Sequence, residues 1–232
     1  MNLLLVRHAQ SANNLLYAQT GSSEGRHADP SLTELGFAQA QALADFARTD
    51  ATWQGVTHLY CSLARRAVQT AAPLAQALGL PAQGLAQAYE AGGLFERQED
   101  RTPYAVPGLS HAELLADNPA LLWPADLPAA EPWAGGFEAY EEPGVLEARA
   151  AQVVEVLRAA HGEADTVALV THGHFTQFLL RQFIAHGNAY FRVVNTATTL
   201  LTLPGPDAPE GWGPLVDWVN RFDHLRPEQV SQ

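Results

Sequence analysis

An unbroken apolar run, Leu3-Leu4-Leu5-Val6, stops at Arg7-His8. A short run without polar alternation suits a strand buried on both faces of a parallel sheet. Such a strand needs helices on both sides, which already restricts the chain to layered α/β architectures. A buried strand that ends in a fixed cation and an imidazole must also find a partner for the charge, and an anion is the obvious one. Ser11, Asn13 and Asn14 then offer N-cap chemistry to the next segment.

The rest of the chain alternates between strand and helix signals. Residues 12–26 are polar and rich in small residues, a short helix or a loop. Ser31 and Glu34 have capping-box spacing, with Thr33 as a competing N-cap, before a helical period through Leu35, Ala38, Ala42, Leu43 and Phe46. Val56 to Cys61 reads as a second strand, and Ala64 to Leu78 as a helix closed by Gly79 and Pro81. Gln83 to Glu90 is a weak extended segment. Residues 91–143 hold seven of the fifteen prolines, Trp123 and Trp133, and one short helix from Ser110 to Asp117 with Ser110 and Glu113 as its capping box. A long irregular stretch of this kind predicts an ordered cap insertion. Gly144 to Ala160 and Phe175 to Ile184 are helical, Thr166 to Val170 is a buried strand, and Ala197 to Leu203 and Leu215 to Val219 are late strands around a turn-rich 204–214. The whole chain, 1–232, is read as a single three-layer domain, a mostly parallel central sheet flanked by helices, with the cap inserted at about 91–143.

Composition narrows the partners. With 13 arginines, no lysine and 25 acids, the net charge is -12, which argues against nucleic acid or an anionic membrane. Any anionic ligand must therefore meet a local basic pocket. Cys61 is the only cysteine, so no internal disulfide can form and a reducing compartment fits. No signal peptide and no membrane span are evident, and the expectation is a cytoplasmic protein. A monomer and a homodimer both stay open.

In a parallel sheet the strand C-termini share one edge, where ligands bind. The first strand delivers Arg7 and His8 there, the second is followed by Arg65 and Arg66 on the first turn of its helix, and the third delivers Thr171-His172-Gly173. Helix N-termini point free N–H groups at the same place. The convergence predicts a phosphate pocket.

These residues carry a resemblance. Arg7-His8-Ala9, Leu32-Thr33-Glu34-Leu35-Gly36, Arg66-Ala67-Val68-Gln69-Thr70-Ala71 and His172-Gly173 stand in order, and the chain resembles the histidine phosphatase superfamily, with its phosphoglycerate mutase-like fold. The resemblance is thinnest over 91–143. It departs from the family at Ala9, which stands for glycine, and at Ser62-Leu63-Ala64, which lacks a proline. It implies that His8 attacks phosphorus, that Arg7, Arg66, His172 and Gly173 bind phosphoryl oxygens, and that Asn14 adds a neutral donor. Glu90 is the implied proton donor, with Glu96 as its rival. No cofactor and no metal are implied.

The function expected is a phosphomonoesterase acting on a small phosphorylated metabolite through a phosphohistidine. A cofactor-dependent phosphoglycerate mutase and a catalytically inactive phospholigand-binding protein are the alternatives. A mutase must hold a multiply anionic substrate away from water, and a lysine-free, acidic chain favours hydrolysis. Arg97 and Arg101 either touch the distal part of the substrate or are solvated. Arg65 is read as solvated or salt-bridged, His174 as a rim residue, Thr33 and Gly36 as capping and packing, and Asn195, Asn220 and His224 as structural.

Overall fold

Leu3, Leu4, Leu5 and Val6 are all enclosed because successive side chains of one strand enter two different cores. Leu4 and Val6 pack with Leu43, Leu59, Leu74 and Val170, whereas Leu3 and Leu5 pack with Val153, Leu169, Phe175 and Leu179. The computed structural model describes residues 1–137, 142–184, 189–205, 207–209 and 212–232.

The first half runs β1 (Asn2–Arg7), α1 (Ala12–Thr20), α2 (Glu34–Ala47), α3 (Ala51–Gln54), β2 (His58–Cys61) and α4 (Arg65–Leu78). There follow β3 (Ala82–Gly84), β4 (Phe95–Arg97), β5 (Pro103–Ala105), α5 (His111–Asp117) and β6 (Leu121–Leu122). The chain ends with α6 (Pro143–Ala160), β7 (Thr166–Thr171), α7 (Gly173–Arg181), β8 (Thr198–Thr202) and β9 (Leu215–Arg221). One seven-stranded sheet has the order β6-β3-β2-β7-β1-β8-β9, parallel from β6 to β1 and antiparallel at β8 and β9. Helices α2 and α4 cover one face, α6 and α7 the other, as the mostly parallel α/β reading expects. Among the described residues no helix is long and apolar enough to cross a membrane.

Local signals decide the helix starts. Helix α2 begins on the competing cap: Thr33 Oγ1 accepts from Gly36 N at 3.0 Å, while Ser31 Oγ turns instead to Gln69 Oε1. Ser110 and Glu113 do form their capping box, and Ser11 with Asn14 forms another at α1, which stops at Gly21 in the left-handed region. The extended segment expected to reach Glu90 breaks after Gly84. There Leu85 N turns back to Cys61 O at 2.8 Å and a short 3-10 turn follows over Ala86–Ala88.

The stretch 91–143 is not a detached lid throughout. Strands β4 and β5 form a separate hairpin, but β6 extends the main sheet, and Leu94, Leu114, Leu121 and Trp133 belong to the α2/α4 core. Residues 138–141 of that stretch, and 206, 210 and 211 of the expected turn 204–214, lie outside the described residues.

Helix α2 approaches the backbone after His8 unusually closely. A Cβ on Gly36 would sit 2.1 Å from Gln10 O. Alanine's better helix propensity is worth up to ~1 kcal/mol, less than the ~1–3 kcal/mol of overpacking against unyielding backbone. Gly36→Ala is therefore expected to lower stability by about 1–3 kcal/mol in urea unfolding; an unchanged midpoint would show that α2 can shift freely.

Candidate active site

The sheet register brings the site together. Arg7 pairs with Thr171 across β1 and β7, and Cys61 pairs with Val170, so His8, Ser62 and His172 all follow at one strand edge. Helices α4 and α7 start at that edge, each without a side-chain cap from its own N-cap residue.

Arg66 lies between the two histidines. Its Nε donates to His8 Nε2 at 3.1 Å, and its Nη2 to His172 Nδ1 at 2.9 Å. A guanidinium only donates, so both imidazole atoms facing it carry lone pairs. The protons must then lie on the other nitrogens: His8 Nδ1 donates to Ala9 O at 2.7 Å and His172 Nε2 to Ser62 Oγ at 2.9 Å. The rings are 5.1 Å apart between centroids and inclined by 61°. Burial, and after it the Arg66 charge, holds both histidines well below the ordinary imidazole value. Each is neutral.

Neighbouring groups fix these positions. Asn195 Nδ2 donates to His8 O at 2.9 Å, and Ala9 N donates to Thr70 Oγ1 at 3.0 Å. Arg7 donates through Nη1 to Val193 O, and its Nε has no acceptor among the described residues. Gly173 leaves room for that guanidinium, since a Cβ there would lie 2.9 Å from Arg7 Nε. Asp29 stands 3.9 Å from Arg66 and accepts the Arg65 N–H with both oxygens, at 2.9 and 3.1 Å.

The candidate acids separate. Glu90 accepts from Ala91 N at 2.9 Å, Phe175 N at 2.8 Å and His174 N at 3.2 Å, and its charge is felt by Arg7 and Arg66. Glu96 is exposed on β4 and accepts from Tyr104 OH at 2.7 Å. Asn14 is drawn partly elsewhere, because its Oδ1 accepts from Ser11 N and Oγ at 3.0 Å each. His174 is exposed beside Phe178, away from His172. Arg65 is salt-bridged to Asp117 at 2.7 Å. Asn220 and His224 bond to the segment around Asn195, at Val194 N and Thr196 Oγ1.

Sequence reasoning missed Ser62, Asp29, Thr70 and Arg149. Arg149 donates to Gln87 O and Tyr89 O at 2.9 and 2.8 Å and stacks over Tyr89 and Phe175, which fixes the backbone leading to Glu90. The signal was an arginine on the apolar face of α6, between Leu146 and Val153. Arg26 was missed too. It stacks on Phe95 at 3.9 Å and is depressed to about 10 by burial and then by the charges of Arg66 and Arg97. It lines a cavity of about 550 Å³ together with Arg97, Arg101, Glu24, Glu96 and Glu99.

Residues 3–208 match the histidine phosphatase superfamily (branch 1). The chain belongs to this superfamily. Solved structures of the same fold include a mycobacterial glucosyl-3-phosphoglycerate phosphatase, 24% identical over 94% of this chain and 98% of that one, with a TM-score of 0.59. A phosphoserine phosphatase of Entamoeba histolytica in complex with phosphoserine is 19% identical over 97% and 99%, with a TM-score of 0.61. No curated protein matches the chain. In this member of the superfamily His8 and His172 meet on one buried guanidinium, that of Arg66.

Burial of the histidines has a measurable consequence. Free histidines titrate near ~6.5. His8 and His172 are held below that, and burial takes His224 to about 4, so the unfolded chain binds more protons as pH falls through 6.5. Their contribution is complete above that pH and is lost below it. Asp29, raised to about 6 by burial, acts in the opposite sense, but with His161 also lowered by burial it is one group against four. The melting temperature is expected to fall between pH 7 and pH 5; calorimetry showing a flat or rising Tm would contradict the neutral pair.

Proposed function

We propose that the chain is a phosphomonoesterase that hydrolyses a small phosphorylated metabolite through a phosphohistidine on His8. The observation that carries this reading is the His8 tautomer. With Nδ1–H held on Ala9 O, the Nε2 lone pair faces Arg66 and is unprotonated. A phosphoryl group arriving there takes Arg66's N–H bonds and frees the lone pair for attack. The Nε2–P bond forms as the bond from phosphorus to the ester oxygen breaks. Glu90, a carboxylate in the free site, takes up the proton of the bound monoanionic ester and passes that proton to the leaving oxygen. Water then attacks phosphorus, its proton goes to Glu90, and Nε2–P breaks.

Arg7 and Arg66 hold the phosphoryl oxygens, where charge spreads in the transition state. His172 needs a proton to join them, because its Nδ1 is an acceptor in this network. Anion binding is therefore expected to draw a proton onto His172. A lysine-free chain of net charge -12 is poorly suited to holding a bisphosphorylated ligand, which favours hydrolysis over a mutase cycle. The phosphatases among the structural neighbours agree with this reading.

The test is acid-labile phosphate trapped on wild type and absent from His8→Ala; equal turnover of an aryl phosphate by both proteins would overturn the assignment. Arg66→Ala is expected to lower kcat by about 10²–10³-fold, as for loss of an oxyanion donor. Glu90→Gln is expected to impair alkyl phosphates far more than aryl phosphates, whose leaving groups need no acid. Rapid isomerisation of 3-phosphoglycerate with 2,3-bisphosphoglycerate, without phosphate release, would favour the mutase.

A further inference from the structure

The opposite end of the sheet holds a second cluster of ligating side chains. His58 opens β2, His161 follows α6, and Asp165 immediately precedes β7. Strand β7 has six residues, so this edge lies ~20 Å from the strand tips of the active site. One nitrogen from each histidine and one carboxylate oxygen lie within 4.8 Å of one another. His58 Nδ1 and His161 Nδ1 are each 3.9 Å from an Asp165 oxygen, one imidazole per oxygen. These separations are too long for hydrogen bonds and close to the ~3.4 Å between ligand atoms that tetrahedral bonds of 2.0–2.1 Å to zinc require.

The frame is rigid. His161 and Asp165 flank a tight turn in which Asp165 N donates to Gly162 O at 3.1 Å and Gly162 N to Asp165 Oδ2 at 2.8 Å. Thr57 N donates to Thr166 O at 2.9 Å and fixes that turn against the start of β2. His161 Nε2 lies 3.0 Å from Tyr60 OH. With its proton there, Nδ1 presents a lone pair, as an outer partner does for a metal-ligating histidine. His58 Nδ1 now contacts Thr57 Oγ1 at 2.9 Å, which a metal would replace, and Thr57 keeps Thr166 as a partner. His161 is nearly enclosed, at 5% side-chain exposure, whereas His58 at 35% leaves a way in and room for a water as fourth ligand.

We propose that His58, His161 and Asp165 form a three-ligand site for a zinc-type divalent ion, which fastens the α6–β7 turn to the first residue of β2. Imidazole nitrogens with a carboxylate oxygen suit zinc and exclude no nearby transition metal, but they disfavour magnesium and calcium, which take all-oxygen sets.

The full chain, stripped with a chelator, would be titrated with zinc against a chromophoric competitor. Wild type is expected to bind one equivalent more than His58→Gln/Asp165→Asn, a pair chosen because both residues are part-exposed and the fold should survive. Their loss should weaken this site by roughly 100-fold or more, since outer-shell losses alone cost about 10–100-fold; Tyr60→Phe should fall near 10-fold. Zinc should raise the Tm of wild type and not of the double variant, while phosphate-ester turnover by the double variant stays at the wild-type rate. Crystals soaked in zinc should show an anomalous peak between the three side chains. Equal stoichiometry and affinity in both proteins, no zinc uptake at tens of micromolar, or a peak only elsewhere would each overturn the proposal.

Discussion

The enclosed guanidinium of Arg66 is the interaction on which the site depends. It has five N–H donors and no acceptor, so any imidazole it touches must offer a lone pair. Contact with both His8 and His172 thus dictates two tautomers at once and pushes their protons outward onto Ala9 O and Ser62 Oγ. A buried cation without partners would be several kcal/mol too costly to keep. Asp29 supplies the countercharge at 3.9 Å. The backbone around His8 is held as firmly: Gln10 N donates to Gln39 Oε1 at 2.8 Å, Gln10 O accepts from Thr33 N at 3.0 Å, and Gly36 lets α2 come near enough for both.

The two helices that aim at the site share a design. Helix α4 starts after Ala64 and α7 after His172, and neither residue caps its own helix. In each case a distant carboxylate takes the orphan N–H groups, Asp29 at α4 and Glu90 at α7. A carboxylate at a helix N-terminus is stabilised by the aligned backbone dipoles. The arrangement also ties the loops that carry Asp29 and Glu90 to the sheet edge. Arg149 completes it from the other side, by holding the carbonyls of Gln87 and Tyr89 just before Glu90.

Such long-range capping bounds how much of the site was legible in the sequence. The strand tips were readable because a buried run ending in Arg7-His8 or His172-Gly173 breaks local rules. The mostly parallel sheet was readable from the alternation of strands and helices, though its strand order was not. Asp29 and Glu90 as caps were not readable, because their partners lie 36 and 85 positions away and no local spacing marks them. Glu90 was reached through family resemblance, Asp29 not at all. At α2 two local caps competed, and the contest went to Thr33 because Ser31 was recruited by Gln69 from a different helix. Over 91–143 the absence of period concealed β6, a strand of two residues whose identity comes from pairing with β3 rather than from its own pattern. Arg26 gave no signal because its importance lies in Phe95 and Arg66, neither of which is a sequence neighbour.

A chain of net charge -12 that gathers arginines around two histidines needs short-range physics to bind an anion. Its overall field repels phosphate esters, but at physiological salt charges beyond ~8 Å are largely screened. Inside the site the reverse holds, because an enclosed pair interacts far more strongly than one in water. The same exclusion of water acts on two groups in useful directions. It leaves Arg7 and Arg66 poorly solvated, and it keeps His8 free of a proton. A more open pocket would lose both properties together: the arginines would be satisfied by water, and a protonated His8 would have no lone pair to offer. Burial at the tip of the strand that begins with Leu3 is therefore what keeps an unprotonated imidazole beside two poorly solvated guanidinium groups.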